Sequence, residues 1–349
     1  MKLPFVDFIF KDVGIDLGTA NSVVYLRDRG IVMNEPSVAA MNIKTNHILA
    51  VGEDAKRMLG RTPNHISVVR PLINGVVSDF EMTEEVLRYL LNHSRSNSIS
   101  SFRRAILAIP NHLTEVEQKS VEDAALNAGC SKVYLVESPI VAALGAGLSI
   151  NTPSASMIVD IGGGTTDVAV ISMNGTVISK TLKVAGDKFN EDIIRFVRDE
   201  FHLAIGESTA EFAKIAVGSA IPLDERVEVT IRGRDMSTGL PREIIIKNNH
   251  IRAAISKSLK TIIDSIREVI EETPPELAGD VLTQGIVMCG GGALLRGLDQ
   301  LIEKETGVPV KIADDPLLCV ARGLGIIIDN FEFHRGLLDN PLKPLSIDL

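Results

Sequence analysis

Val13-Gly14-Ile15-Asp16-Leu17-Gly18-Thr19 runs into the apolar stretch Val23-Val24-Tyr25-Leu26. The pattern returns as Ile158-Val159-Asp160-Ile161-Gly162-Gly163-Gly164-Thr165 running into Val168-Ala169-Val170-Ile171. Each copy reads as a strand, an Asp, a glycine-bearing turn, a Thr and a second strand. Small residues at such a turn let backbone N–H groups approach a phosphate, and the Thr hydroxyl adds a donor. An Asp beside phosphates repels them, so each copy implies a cation in between, most simply Mg²⁺. A single glycine turn is a common hairpin device. Two turns with an Asp at the same place point to two similar halves that face one nucleotide.

At 349 residues the chain exceeds the ~150 of an ordinary domain, so two domains are expected. Hydrophobic residues make up 45%, enough for real cores. Aromatics at only 4%, with no Trp, argue against a surface that stacks nucleic-acid bases. A formal net charge of −9 argues against broad attraction to nucleic acid or anionic lipid. Cys130, Cys289 and Cys319 lack metal-type spacing and read as reduced thiols, and the seven His show no ligand spacing. With no signal-peptide pattern and no apolar run of bilayer length, a cytoplasmic chain is expected.

Asn34-Glu35-Pro36-Ser37 ends the first hairpin, and the stretch after it, with Gly52, Gly60, Pro63, Pro71 and Gly75, reads as a small inserted subdomain. The periodicity of Val86, Leu87, Leu90 and Leu91 predicts a helix over 83–93 with Thr83 as N-cap. Residues 92–101 read as a loop and 105–109 as a strand. A helix over 114–128 opens with a Thr114/Glu117 capping box. A strand over 133–136 and a helix over 139–147 follow. The second half repeats this order, with helices over 189–201 and 209–218. Strands over 227–231 and 243–246 belong to another insertion. A long amphipathic helix over 251–272 is stopped by Thr273-Pro274-Pro275. A strand over 286–288 leads to Gly290-Gly291-Gly292, which opens a further helix. Strands alternating with helices indicate an α/β fold with each sheet covered on both faces.

These residues carry a resemblance. Gly14-Ile15-Asp16-Leu17-Gly18-Thr19-Ala20-Asn21, Asn34-Glu35-Pro36-Ser37-Val38, Asp160 to Asp167 and Gly290-Gly291-Gly292-Ala293-Leu294-Leu295-Arg296-Gly297 together resemble the MreB family of bacterial actins. Pro274-Pro275-Glu276-Leu277, Asp315-Pro316-Leu317 and Cys319-Val320-Ala321-Arg322-Gly323 extend it, collinearly, over nearly the whole chain. The resemblance implies an actin-like α/β fold, a duplicated ribonuclease H-like core in two lobes with a nucleotide cleft. Its core domains would take 1–31, 78–150 and 328–349 in one lobe and 151–188 and 251–327 in the other. The insertions would be 32–77 and 189–250. It further implies ATP and Mg²⁺, self-assembly into filaments on the inner face of the cytoplasmic membrane, and work with cell-wall synthesis and shape proteins to maintain rod shape.

Roles follow residue by residue. Asp16 and Asp160 would hold Mg²⁺ through water. Gly18, Thr19, Ala20 and Asn21 would line the first phosphate turn, and Gly162, Gly163, Gly164 and Thr165 the second. Gly290, Gly291, Gly292, Ala293 and Leu294 would approach the ribose and α-phosphate at a helix N-terminus. Glu211 and Lys214 match nucleoside contacts of the family, while Ser208 to Glu211 also reads as a capping box. The family motif usually has two acidic residues before its Pro; here it reads Glu137-Ser138-Pro139. A Ser is not a base near neutral pH, and losing a general base typically costs about 10²–10⁴ in rate. Glu137 is not expected to substitute, because neighbours on an extended segment point apart. Ser138 also reads as an N-cap with Pro139 at N1. Asp167 remains as a carboxylate near the γ-phosphate, so ATP binding with weak, slow hydrolysis is expected.

The apolar run Leu3, Phe5, Val6, Phe8, Ile9 and Phe10 beside Lys2 and Lys11 is a candidate membrane contact. A loop with Ile99 and Phe102 next to Arg103 and Arg104 is a second. Three other functions compete with this reading, two of them weakly. A scaffold that scarcely hydrolyses ATP is kept alive by Ser138. A small-molecule kinase of the same superfamily would need a second-substrate motif that the sequence does not display. An Hsp70-like chaperone would need a peptide-binding domain beyond Leu349.

Overall fold

The computed structural model describes residues 10–95, 101–223 and 227–338. They form two compact units. The first takes the described residues up to 152, with 172–175 and those from 318 onward; the second takes 153–171 and 176–317.

The core of each unit is a five-stranded sheet. In the first, β1 (Phe10–Leu17), β2 (Asn21–Leu26) and β3 (Gly30–Pro36) form an antiparallel meander, and β4 (Ser101–Ile109) and β5 (Val133–Glu137) continue it in parallel from β1. The order is β5-β4-β1-β2-β3. In the second, β6 (Ser156–Ile161), β7 (Thr166–Ser172) and β8 (Gly175–Leu182) form the meander, with β9 (Ile286–Cys289) and β10 (Val310–Ile312) added in parallel. Its order, β10-β9-β6-β7-β8, is that of the first sheet element for element. The repeated sequence pattern is therefore a repeated sheet. The central strands are apolar at nearly every position because both faces are covered; Val168 to Ile171 are all fully buried.

A small three-stranded sheet is inserted in each unit: Ala39–Asn42, His47–Val51 and Ile66–Val69 in the first, Leu203–Ala204, Glu228–Asp235 and Pro241–Lys247 in the second. Residues 318–327 differ from expectation. They lie in the first unit, as the start of helix Cys319–Asp329, not with the second half. Glycines allow this docking. A Cβ at Gly323 would lie 1.9 Å from the Val141 carbonyl oxygen, and one at Gly145 would lie 1.8 Å from the Cys319 carbonyl oxygen. The backbones of helices Cys319–Asp329 and Ser138–Gly145 touch there. Tyr25 Oη donates to Asp329 (3.0 Å) and Arg27 to the Ile328 carbonyl (2.9 Å), which fixes the helix along β2.

Several helix boundaries move. The helix expected from Thr83 is Phe80–Ser94, capped by Asp79, whose carboxylate accepts from the Met82 N–H (3.0 Å). Thr83 is fully buried and its hydroxyl donates to the Asp79 carbonyl (2.7 Å). The Thr114/Glu117 capping box is present, and the long helix Asn248–Glu272 ends at Thr273 as expected. The Ser208–Glu211 capping box is absent: helix Glu207–Val217 follows Gly206 with no side-chain cap. The glycine run opens only a single 3₁₀ turn, Gly291–Leu294, and the next α-helix, Leu298–Thr306, begins after Gly297.

Candidate functional site

The first half-site lies at the C-terminal end of β1. Asp16 is its penultimate residue, level with Ala108 of β4. The turn after it is tightly held. Ser37 Oγ donates to the Gly18 carbonyl (2.6 Å), the Ser37 N–H donates to the Ala20 carbonyl (2.9 Å), and the Gly75 N–H donates to Thr19 Oγ1 (3.0 Å). Asn21 spends its side-chain amide on Asn34 (2.8 Å). Gly18 is obligatory, since a Cβ there would sit 2.6 Å from the Asn21 carbonyl oxygen. Burial pushes the Asp16 carboxyl up to about 7. A carboxylate that is costly to ionise where it sits is one that a bound cation would relieve.

Ser138 belongs to the same sheet edge. Glu137, the last residue of β5, is level with Ile109, one residue beyond the partner of Asp16. Two strand spacings separate the main chains, roughly 10 Å. Ser138 is not an N-cap: helix Ser138–Gly145 includes it, the flanking residue is Glu137, and no side chain caps the end. The Glu137 carboxylate accepts from Asn111 Nδ2 (3.0 Å), so it is held beside Asn111.

The second half-site repeats the plan. Asp160 is the penultimate residue of β6, level with Cys289 of β9. Directly opposite it on β7 is Asp167, so two carboxylates share one cross-strand position. Like charges so placed repel, which suits an oxygen-ligated cation such as Mg²⁺ at this edge. Asp167 is oriented by two hydroxyls, those of Thr181 and, at 3.4 Å, Thr165. The Gly162 N–H closes the turn onto the Thr165 carbonyl (2.9 Å). The start of helix Gly186–Phe201 then caps the turn's carbonyls, Gly186 N–H to Gly162 (3.1 Å) and Asp187 N–H to Gly163 (2.8 Å). Lys214 Nζ reaches the Gly186 carbonyl (2.9 Å), bringing the helix with Glu211 and Lys214 to the same turn. The glycine run packs on the strand end: a Cβ at Gly290 would be 2.4 Å from Asp160 Oδ1, and one at Gly292 would be 2.2 Å from Ile161 Cγ2. Gly290 also needs its φ of +79°.

Each unit thus gathers its expected residues at the carboxyl ends of its strands, the usual ligand edge of α/β sheets. Thr181, which orients Asp167, has no signal in the local sequence, because its partner lies 14 positions away. Phe102 is a correction. It is 1% exposed, seated in the first unit's core with the Arg95 guanidinium 5.6 Å from its ring centroid. The strand is already under way at Phe102, whose carbonyl accepts from the Ser131 N–H (3.0 Å), so its side chain is not available to a membrane. Ile99 and the run over residues 3–9 lie outside the described residues, as does the Phe10 side chain. Among the described residues no helix is long and apolar enough to cross a membrane.

The Asp16 carboxyl carries a testable sign. Its pKa in the fold, about 7, stands above the ~3.9 of an unfolded chain, so ionisation penalises the fold. The penalty is absent below about pH 4, grows toward pH 7 and is complete above it. Asp16→Asn removes it. At pH 8 without metal or nucleotide, the variant's Tm should be higher than wild type, by roughly 5 °C, and the gap should close near pH 4. A lower Tm at pH 8 would contradict the assignment.

The family model described as MreB/Mbl protein matches residues 10–335. The cell shape-determining protein Mbl of Bacillus subtilis is 47% identical over 322 residues, 92% of this chain and 97% of that one. The crystal structure of MreB 5 of Spiroplasma citri bound to AMPPNP superposes with a TM-score of 0.89 at 39% identity, covering 93% of this chain and 98% of that one. A MamK double helical filament structure, at 23% identity, TM-score 0.77 and coverage of 92% and 99%, shares the fold. The fold is the expected actin-like α/β class, its duplicated sheet carries an Asp and a small-residue turn at both equivalent strand ends, and the chain belongs to the MreB/Mbl family.

Proposed function

We propose that this chain is an ATP-binding bacterial actin that polymerises with copies of itself. Its filaments work at the inner face of the cytoplasmic membrane, where they direct cell-wall synthesis and so rod shape. The observation that carries the nucleotide reading is the duplicated Asp and small-residue turn at equivalent strand ends. The Spiroplasma relative crystallised with AMPPNP and the MamK filament support nucleotide use and self-assembly. Cell shape is the description carried by the Bacillus relative. Membrane attachment rests on the N-terminal apolar segment alone, Phe102 being core.

Asp16 and Asp160 would hold Mg²⁺, which when bound neutralises phosphate charge. The amides and Thr hydroxyls of 18–21 and 162–165 hold the phosphates. Glu211, Lys214 and the stretch Gly290 to Leu294 hold the nucleoside. The Ser138 hydroxyl can hydrogen-bond a water but does not take its proton near neutral pH. Asp167, aligned by Thr165 and Thr181, is the remaining carboxylate for orienting a water. Hydrolysis is therefore slow. In the limit, the chain is a nucleotide-bound scaffold with almost no turnover, a second reading favoured by Ser138 itself.

The test is sedimentation with and without Mg·ATP, beside a thermal melt. Wild type should pellet with Mg·ATP, and at about 100 times Kd the ligand should add about 2.7 kcal/mol of stability. Asp160→Asn should stay in the supernatant and show little of that gain. A wild-type protein whose sedimentation and Tm both ignore Mg·ATP would sink the proposal.

A further inference from the structure

Hydrogen bonds and close contacts in the second unit join its functional segments into a closed ring. From Asp160 the chain enters the turn Gly162–Thr165, whose carbonyls are capped by Gly186 and Asp187. Lys214 Nζ ties the Gly186 carbonyl to helix Glu207–Val217. At the same C-terminal end of that helix, Arg296 Nη1 donates to the carbonyls of Ala216 (3.1 Å) and Gly218 (3.2 Å). The Arg296 carbonyl accepts from the Ala220 N–H (2.8 Å). Arg296 follows the 3₁₀ turn whose Gly290 and Gly292 rest on Asp160 and Ile161, which closes the ring.

The junction at Arg296 is close-packed. A Cβ at Gly218 would lie 2.2 Å from the Lys214 carbonyl oxygen and 3.1 Å from Leu295 Cδ1. Gly297, at φ +71°, presses on Ile221, and Ser219 beside it is fully buried. The Arg296 side chain ties this seam beside the main-chain bond from the Ala220 N–H. It sits at a helix C-terminus, where a cation is favoured and the last carbonyls need donors.

We propose that Arg296 is a positioning residue for the nucleoside part of the ligand. It holds the helix of Glu211 and Lys214 at a fixed distance from the glycine turn, so that the two segments grip one nucleoside. This rests on the ATP-binding proposal above. The second phosphate turn is closed chiefly by its own main-chain bonds, so Arg296 reaches it only indirectly, through Lys214 and Gly186. Its guanidinium bridges two carbonyls, which a Lys amine on a flexible stem reproduces only in part.

The test uses the full chain with Arg296→Gln and Arg296→Lys. Affinities for Mg·ATP and for Mg·tripolyphosphate are measured by competition against a fluorescent ATP analogue. For Arg296→Gln, Mg·ATP should bind about fivefold more weakly, the loss of a net hydrogen bond, while tripolyphosphate changes by less than about twofold. Arg296→Lys should fall between the variant and wild type. Equal weakening of both ligands would mean a general loosening and would overturn the assignment. So would unchanged ATP affinity, or a wild type that binds ATP but is not competed by tripolyphosphate. A wild type that fails to bind Mg·ATP overturns the ATP-binding proposal instead, and that control tells the two apart.

Discussion

Replacing Ser138 with Glu is expected to raise the single-turnover rate of phosphate release from Mg·ATP by about 10²–10⁴, the range a positioned general base supplies. The substitution puts a carboxylate at the first position of helix Ser138–Gly145, at the sheet edge that also carries Asp16. An acidic side chain is favoured in a first helical turn, so the variant should fold as well as wild type. The Glu137 side chain, engaged with Asn111, is not positioned to have supplied the function already. Equal release rates in both proteins would mean that Asp167 already positions the water and that position 138 is not catalytic.

The largest stability effect should come from Gly323→Val. A Cβ at this position would fall 1.9 Å from the Val141 carbonyl oxygen and 2.8 Å from its carbon, both backbone atoms that no rotamer change can move. The helix Cys319–Asp329 would have to lift from Ser138–Gly145. That takes with it the contacts of Gly325 on Tyr25 and of Leu324 and Ile328 on Gly14. Overpacking against backbone atoms falls at the upper end of the usual range, about 3 kcal/mol. At about 2–4 °C per kcal/mol, Tm should fall by roughly 10 °C, with much of the protein insoluble on expression. A shift under about 2 °C would show that the helices slide apart freely.

What the sequence made legible is what local pattern controls. The two Asp turns are adjacent in sequence to their strands, and the sheets they head repeat one order. Thr114 and Glu117 are three residues apart and cap each other; Pro274 leaves the preceding helix nowhere to go. Misplaced features depended on contacts made elsewhere. Thr83 looked like a cap, but its hydroxyl bonds back to the Asp79 carbonyl and the helix starts earlier. The glycine run looked like a helix start, yet its residues are small because they lie on Asp160 and Ile161. Phe102 beside two Arg residues looked like a membrane loop until strand pairing turned it inward. Thr181 had no local signal, and Arg296, although part of the glycine motif, had none for its role, since each bonds to residues at least 14 positions away.

The first unit is discontinuous in sequence, so the order of its synthesis differs from the order of its completion on the ribosome. The second unit is almost contiguous and is complete once residue 317 has emerged. The first unit, although synthesised earlier, still lacks the helix that seats on Val141 and Tyr25. Its sheet must wait through more than half of translation with that apolar face uncovered. The half made first is finished last, and this interval is when the nascent protein is most exposed to aggregation and most in need of a chaperone.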